Sequence, residues 1–538
     1  MRMHGRIAVI GDHIDLVVET NLGRVRGTLI EGVAAFKSLP YGASTAGANR
    51  FLPPRPPNPW AGVRDATTYA GRAPQWRGGP AARPELADFA GAPDASPETE
   101  DCLTLNVWSA ALHPETPRPV MVWFHGGAFS FGSSNSDRLR GSRLCRRGDV
   151  VVVTVNQRLN IFGHLHLGDH YADASAHSGN AGTLDMLAAL HWVHDNIGRF
   201  GGDPDCVTIF GESGGGGKVS TLLAMPAARG LFHRAIVQSG AVVRLRDRDR
   251  ATRLTDAVLR QLDLTGAPLR RLRELPMAAL IGAIAPAERA LGPSPTPLFD
   301  RYPFGPMVDG ELVPQHPFDP EAPACSADIP LLIGDMKDEV TSFLAHDDKV
   351  WHRTLTEAEL RQRVATVAGD HTDRVLEVYR RMDPSGSPSD RLIATLTDSN
   401  FRIRSLVLAE RKARQGGAPV FMYSFAWETP LFEGRLKAPH ALDVPFTFDT
   451  IDLTNATDRS PQAHALAATM SATWAAFAHT GRPAHASIPT WTPYGLPDRP
   501  TMILDAPCRM QNDPRGEARR LWQDITSAVI RPLIPATS

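Results

Sequence analysis

The apolar residues of this chain fall into short unbroken runs separated by stretches of helical spacing, as expected for a sheet buried on both faces by helices. Residues 103–108, 120–124, 150–155 and 207–210 each read as a strand, and further strands are expected at 235–240, 328–334 and 419–425. Residues 185–197 set Met186, Leu187, Leu190 and Val193 on one helical face. Helical spacing also fills 244–290, 357–382, 391–415, 463–479 and 515–530, with a proline-rich crossing between the last two. Two strands joined at Asn21-Leu22-Gly23 are expected within 14–29, an irregular proline-rich stretch at 51–60, and a surface excursion rich in Pro, Ala, Gly and acidic residues at 82–100. The repeated order of strand, helix and strand predicts a doubly wound sheet. One such sheet, interrupted by helical insertions around 244–325 and 345–415, accounts for the order better than three separate domains. No internal repeat or low-complexity tract is present.

One strand-to-helix junction stands out. The run Val207–Phe210 stops at Gly211-Glu212-Ser213-Gly214-Gly215, and small residues with helical spacing follow. A Gly-x-Ser-x-Gly turn forces the serine into a strained conformation and needs no Cβ two positions to either side, which Gly211 and Gly215 satisfy. The turn would hold the Ser213 hydroxyl above the sheet, at the positive end of the following helix. Alone, the motif leaves open a phosphate cradle or an incidental serine. A second junction, 120–124 running into His125-Gly126-Gly127-Ala128-Phe129, reads as a parallel strand opening into a glycine loop at the sheet end where ligands of such folds bind. The amides of Gly127 and Ala128 could donate to an oxyanion there, the alternative being a tight turn.

A serine hydroxyl needs a base within reach and a carboxylate to orient that base. In sheets of this class the order along the chain is serine, acid, histidine, each at a strand's C-terminal end. The strand at 328–334 delivers Asp335, Asp338 and Glu339, two of them expected to be solvated, and the next delivers His440. His346, His352 and His371 come too early; His464 and His479 fall in a helix and His485 after it. His164, His166, His170 and His177 share a segment read as exposed loop, and their spacing matches no zinc-ligand pair, so no metal is expected.

Composition narrows the setting. The chain has 538 residues, 42% hydrophobic and 21% charged, with a formal net charge of −1, which gives no electrostatic reason to expect nucleic acid or an anionic membrane as partner. No stretch approaches the roughly 18 apolar residues of a membrane span, and residues 1–20 lack the pattern of a signal peptide. The five cysteines, Cys102, Cys145, Cys206, Cys325 and Cys508, are widely spaced and odd in number, fitting thiols of a reducing compartment. Cys206 reads as a buried strand residue. A cytoplasmic protein is expected.

Four motifs taken together carry a resemblance: Glu100-Asp101-Cys102-Leu103-Thr104-Leu105-Asn106, the loop at 125–129, the elbow at 211–215 and Lys337-Asp338-Glu339. With Leu222-Leu223-Ala224-Met225-Pro226 and Leu231-Phe232-His233-Arg234, the sequence resembles the type-B carboxylesterase/lipase family, in its bacterial para-nitrobenzyl-esterase-like branch, over most of its length. The resemblance implies an α/β-hydrolase fold, Ser213 as nucleophile, Glu339 as the acid, His440 as the base, and Gly127, Ala128 and Gly214 as oxyanion-hole amides. It implies supporting roles for Glu212 and Ser239, and a structural ion pair between Glu100 and Arg158.

The implied activity is hydrolysis of carboxylic esters with small to medium hydrophobic groups, through an acyl-enzyme and without a cofactor. Phe129 and Phe131 are expected to line an apolar gorge, and the chain to act as a monomer or weak homo-oligomer. An amidase or carbamate hydrolase could use the same residues; a lipase and a non-catalytic binding relative are weaker alternatives. Three departures from the family pattern stand out. Ala128 sits where many animal relatives have a third glycine, Gly214 replaces a common alanine, and no cysteine precedes Cys102 to form the family's first disulfide. Gly217 and Lys218, on the helix after Ser213, take no assigned role.

Overall fold

The computed structural model describes residues 16–78, 83–86, 89, 94–172, 176–292 and 302–529. Parts of the expected strand pair at 14–29, the excursion at 82–100, the histidine segment, the first insertion and the last helix lie outside those residues. Strands β1 (Val17–Thr20), β2 (Gly23–Arg26) and β5 (Val63–Asp65) make a small sheet, and the Asn21 turn joins its first two as expected. The large sheet uses β3 (Thr28–Ile30), β4 (Val33–Pro40), β6 (Thr104–Ser109), β7 (Arg118–Phe124), β8 (Val151–Val155), β9 (Gly202–Glu212), β10 (Arg234–Gln238), β11 (Leu331–Met336), β12 (Val420–Phe425), β13 (Pro500–Leu504) and β14 (Arg509–Asn512). Its order is β14-β13-β12-β11-β10-β9-β7-β8-β6-β4-β3. The central strands, from β8 through β7, β9, β10, β11 and β12 to β13, run parallel, and antiparallel pairs close both flanks. The proline-rich crossing after residue 479 therefore contains two strands that the sequence pattern did not reveal.

Both faces of the sheet are covered, and the period of two along each strand sorts its side chains. Along β7, Val120, Val122 and Phe124 join one core with Met186, Leu190 and Val193 of helix Ala181–Asn196 and Val219 and Leu222 of helix Gly214–Leu222. Met121 and Trp123 face the other way, into a core with Phe210, Phe448 and Trp474 of helix Pro461–Thr480. There the Trp123 ring meets Phe210 and Phe448 at centroid distances of 4.9 and 5.1 Å. The first insertion, between β10 and β11, contains helices Arg248–Gln261, Leu269–Glu274 and Met277–Ala290; the second, between β11 and β12, is also helical. Cys206, on β9, is half-buried rather than buried.

The expected Glu100–Arg158 ion pair does not form. Arg158, at the end of β8, instead grips Asp185 of helix Ala181–Asn196, with Nε 2.8 Å from Oδ2 and Nη2 2.6 Å from Oδ1, and both side chains are sealed from solvent. Arg158 Nη1 also donates to Leu52 O at 2.7 Å. Glu100 accepts from both Nε and Nη2 of Arg50. Each charge is thus saturated by a fork-shaped partner from a different part of the chain, which leaves neither available to the other.

Candidate active site

The continuous apolar run of β9 is buried on both sides and ends at Glu212, after which the chain reverses into helix Gly214–Leu222. Ser213 sits at the reversal with φ 56° and ψ −123°, a conformation that side chains rarely adopt. The reversal is as tight as the motif implies, because a Cβ on Gly215 would lie 2.0 Å from Phe124 O. The helix that follows begins with four glycines, each weaker in a helix by about 1 kcal/mol than alanine. Close tertiary packing compensates, with Gly215 through Leu222 buried.

The loop after β7 folds back onto this elbow. A Cβ on Gly214 would lie 2.4 Å from Ala128 N, so the backbones of loop and elbow are in close approach. Gly127, Ala128 and Phe129 all have left-handed φ, at 100°, 51° and 60°. The peptide carbonyls in the loop are held from behind: Gly126 O accepts from His125 Nδ1 at 2.7 Å, and Gly127 O from the amides of Ser130 and Phe131 at 2.8 and 3.0 Å. In a trans peptide the next N–H points the opposite way, so these bonds fix the directions of the Gly127 and Ala128 amides.

Strands β11 and β12 bring in the other two candidates. The turns after them are laced together, with His440 N donating to Glu339 O at 3.2 Å and Asp338 N to Ala438 O at 3.2 Å. His440 Nδ1 donates to Glu339 Oε2 at 2.5 Å, while Glu339 Oε1 accepts the Met336 amide at 2.9 Å. On its other side, His440 Nε2 is 3.1 Å from Glu212 Oε1 and makes no hydrogen bond to Ser213 Oγ. The rings of Phe343 and Phe401 flank the imidazole at centroid distances of 5.0 and 4.9 Å. Sequence reasoning missed both; Phe401 lies in a π-helical turn, Asp398–Arg402, hidden within a long helical pattern.

The site is crowded with carboxylates. Burial works against the His440 imidazolium, but the charges of Glu212 and Glu339 outweigh it and raise the group above an ordinary histidine. Burial raises the Glu212 carboxyl, against the pull of His440. Asp443 is raised to about 6 by burial, and accepts from Gln238 Nε2 at 2.9 Å and the Tyr423 hydroxyl at 3.1 Å. Asp335 and Asp338, expected at least in part to be solvated, are both buried: the first lies within β11 and is raised by burial to about 7, the second accepts the Ala438 amide.

The remaining candidates occupy varied positions. Ser239 is buried next to the elbow with φ 48°, and its hydroxyl has no hydrogen-bond partner among the described residues. Phe129 turns inward, edge-on to His164 at 5.6 Å, whereas Phe131 is half-buried between Tyr302, at 5.8 Å, and the Arg77 guanidinium, 4.7 Å from its centroid. His164, His166, His170 and His177 are buried or half-buried rather than on an exposed loop. His164 and His166 are buried, and burial depresses His164 to about 3. Its Nδ1 bonds Gly179 O, while His166, His170 and His177 each face a different aspartate.

A parallel central sheet that presents a strained serine, a glycine loop and a carboxylate-bound histidine at the C-terminal ends of its strands is that of an α/β-hydrolase. The Carboxylesterase family model matches residues 14–522, and the chain belongs to that family; it is a carboxylic-ester hydrolase. It is 36% identical over 513 residues to the para-nitrobenzyl esterase of Bacillus subtilis (strain 168), covering 94% of this chain and 98% of that protein. It is 31% identical over 499 residues to the phenmedipham hydrolase of Pseudarthrobacter oxydans, covering 91% and 94% of the two. The crystal structure of a Geobacillus stearothermophilus carboxylesterase superimposes with a TM-score of 0.81 at 38% identity, over 94% of this chain and all of that one. Among the described residues no helix is long and apolar enough to cross a membrane.

Proposed function

We propose that Ser213 is the nucleophile of this esterase, His440 its general base and Glu339 the acid that orients the imidazole. The Glu339–His440 hydrogen bond, formed at the ends of adjacent strands, carries the reading, because it fixes the tautomer that leaves Nε2 free to take a proton. In the reaction His440 turns from Glu212 to the Ser213 hydroxyl, a contact of the kind that tightens only with substrate bound. Ser213 Oγ then attacks the ester carbonyl and its proton passes to Nε2. The amides of Gly127, Ala128 and Gly214 receive the charge on the carbonyl oxygen. Collapse expels the alcohol, which takes the proton from His440, and water repeats the sequence on the acyl-enzyme.

Glu212, beside His440 Nε2, and Ser239, next to the elbow, support this arrangement, and Phe129 and Phe131 shape the approach. The substrates are esters with small to medium hydrophobic groups; the name of the Bacillus relative points to para-nitrobenzyl esters. The chain works as one catalytic domain with two inserted segments, as a monomer or weak homo-oligomer, without a cofactor. Its five unpaired cysteines support a cytoplasmic setting.

The test is hydrolysis of para-nitrobenzyl and para-nitrophenyl esters of increasing acyl length by the wild type and by Ser213→Ala. Hydrolysis at background level in the variant is expected; full activity without the hydroxyl would overturn the assignment.

A further inference from the structure

Lys218 lies on helix Gly214–Leu222, five residues after Ser213, and its side chain is fully buried. No carboxylate of the described residues pairs with it, and burial alone lowers its ammonium to about 7. Placing a cation in a protein interior without a counter-ion is far more costly than placing an apolar side chain there. What the ammonium does contact is specific. Nζ donates to His125 O at 2.6 Å and stands over the Phe129 ring, 5.5 Å from its centroid. Those two residues bracket Gly126-Gly127-Ala128.

The geometry points to Lys218 as a positioning residue that clamps the oxyanion loop to the nucleophile helix. One ammonium holds both ends of the loop that carries the Gly127 and Ala128 amides, and it does so from the helix whose first residue supplies the Gly214 amide. The hold is needed because Ala128 and Phe129 are both left-handed, a strained conformation for residues with a Cβ, and would relax if released. Hydrogen bonds from several sides keep the loop in place, among them that from the Asn160 amide to Phe129 O at 2.7 Å. Lys218 takes the His125 carbonyl. The His125 ring takes the Gly126 carbonyl, and is itself oriented by Gln157 Nε2, 2.9 Å from His125 Nε2. The Ser130 and Phe131 amides take the Gly127 carbonyl. Of these, only Lys218 ties the loop across to the elbow.

The inference rests on the proposed roles of Ser213 and the three amides, and predicts a loss confined to the transition state. In Lys218→Met the loop remains but its amides drift from the oxyanion. The kcat on para-nitrophenyl acetate should fall by about tenfold to about 10²-fold while KM stays within about twofold. A trifluoromethyl ketone, which adds to the serine oxygen and places an alkoxide in the hole, should lose affinity by a similar factor. The matching unfluorinated methyl ketone, which binds without adding, should not. A purely structural lysine would change the unfolding temperature without separating the two ketones. Unchanged kcat, or a lower kcat with full trifluoromethyl ketone affinity, overturns the proposal. Should Lys218→Met fail to accumulate as folded protein, Phe129→Leu removes the ring beneath the ammonium and must show the same separation, on a smaller scale, for the clamp to stand. Ser213→Ala, assayed alongside, separates the two readings: full activity there defeats the nucleophile assignment, whereas an inactive Ser213→Ala with an unaffected Lys218→Met defeats only the clamp.

Discussion

Glu212 Oε1 lies 3.1 Å from His440 Nε2, the ring nitrogen that accepts the Ser213 proton in the proposed reaction. A carboxylate at that point favours the imidazolium twice, in the resting enzyme, where it delays loss of the proton, and in the transition state, where it stabilises the charge that forms.

Glu212→Gln separates the two effects. In the proposed reaction His440 acts only when neutral, so kcat/KM is expected to rise with pH as it loses its proton. Removing the strongest of the charges that raise His440 lowers its pKa, and the acid limb of the profile should move to lower pH. The plateau should fall about tenfold, a barrier increase of about 1.4 kcal/mol, because the imidazolium formed during attack loses a neighbour. A pH–rate profile of purified variant and wild type checks both; a limb displaced to higher pH contradicts the assignment.

Phe343→Ala should move the same limb the other way. Burial is the largest influence on His440 and depresses it, and the Phe343 ring is part of what keeps water off the imidazole. With the ring gone the imidazolium is better hydrated and the limb shifts to higher pH. Opposite displacements in the two variants are the expected result.

Gly214→Ala introduces a methyl group 2.4 Å from Ala128 N and 2.9 Å from its Cα, a conflict with backbone that only a shift of the loop relieves. With these amides in the proposed oxyanion hole, a displacement near 1 Å is expected to lower kcat by about 10²-fold. The double variant with Ala128→Gly should recover part of that loss, since glycine accepts the altered backbone. A double-mutant cycle on kcat measures the coupling, which strict additivity would exclude.

Arg158→Met leaves the Asp185 carboxylate buried without its partner, and should destabilise the fold by about 3–5 kcal/mol. Replacing both, as Arg158→Met with Asp185→Leu, should restore much of the difference. Denaturant unfolding followed by tryptophan fluorescence reads it directly.

What the sequence disclosed about the site was local in origin. The elbow at Ser213, the glycine loop at 126–128 and the turn bearing His440 each follow a short apolar strand, so chain order alone placed them at one end of the sheet. Partners that meet across the fold left no such trace. Nothing near Arg158 marks Asp185 rather than Glu100 as its counterpart, and nothing near Phe401 marks its approach to His440. The burial of His164, His166, Asp335 and Asp338 was equally hidden, because polar residues between strands read as solvated until the packing above them is known. Strand β13 escaped notice because it opens on Pro500 within a proline-rich stretch, and β14 because it is a short polar strand at the sheet edge. Lys218 did carry a signal, a lone cation amid glycines and apolar residues, but its meaning depends on a carbonyl 93 positions earlier.

Both long insertions leave the sheet and return at the strand next door, the first from β10 to β11 and the second from β11 to β12. Each is therefore a modular cassette with neighbouring anchor points, exchangeable with the equivalent segment of a homologue without rethreading the sheet. Exchange of the first leaves Ser213, Glu339 and His440 and their flanking rings in place, whereas exchange of the second also replaces Phe343 and Phe401 and so retunes the imidazole between them.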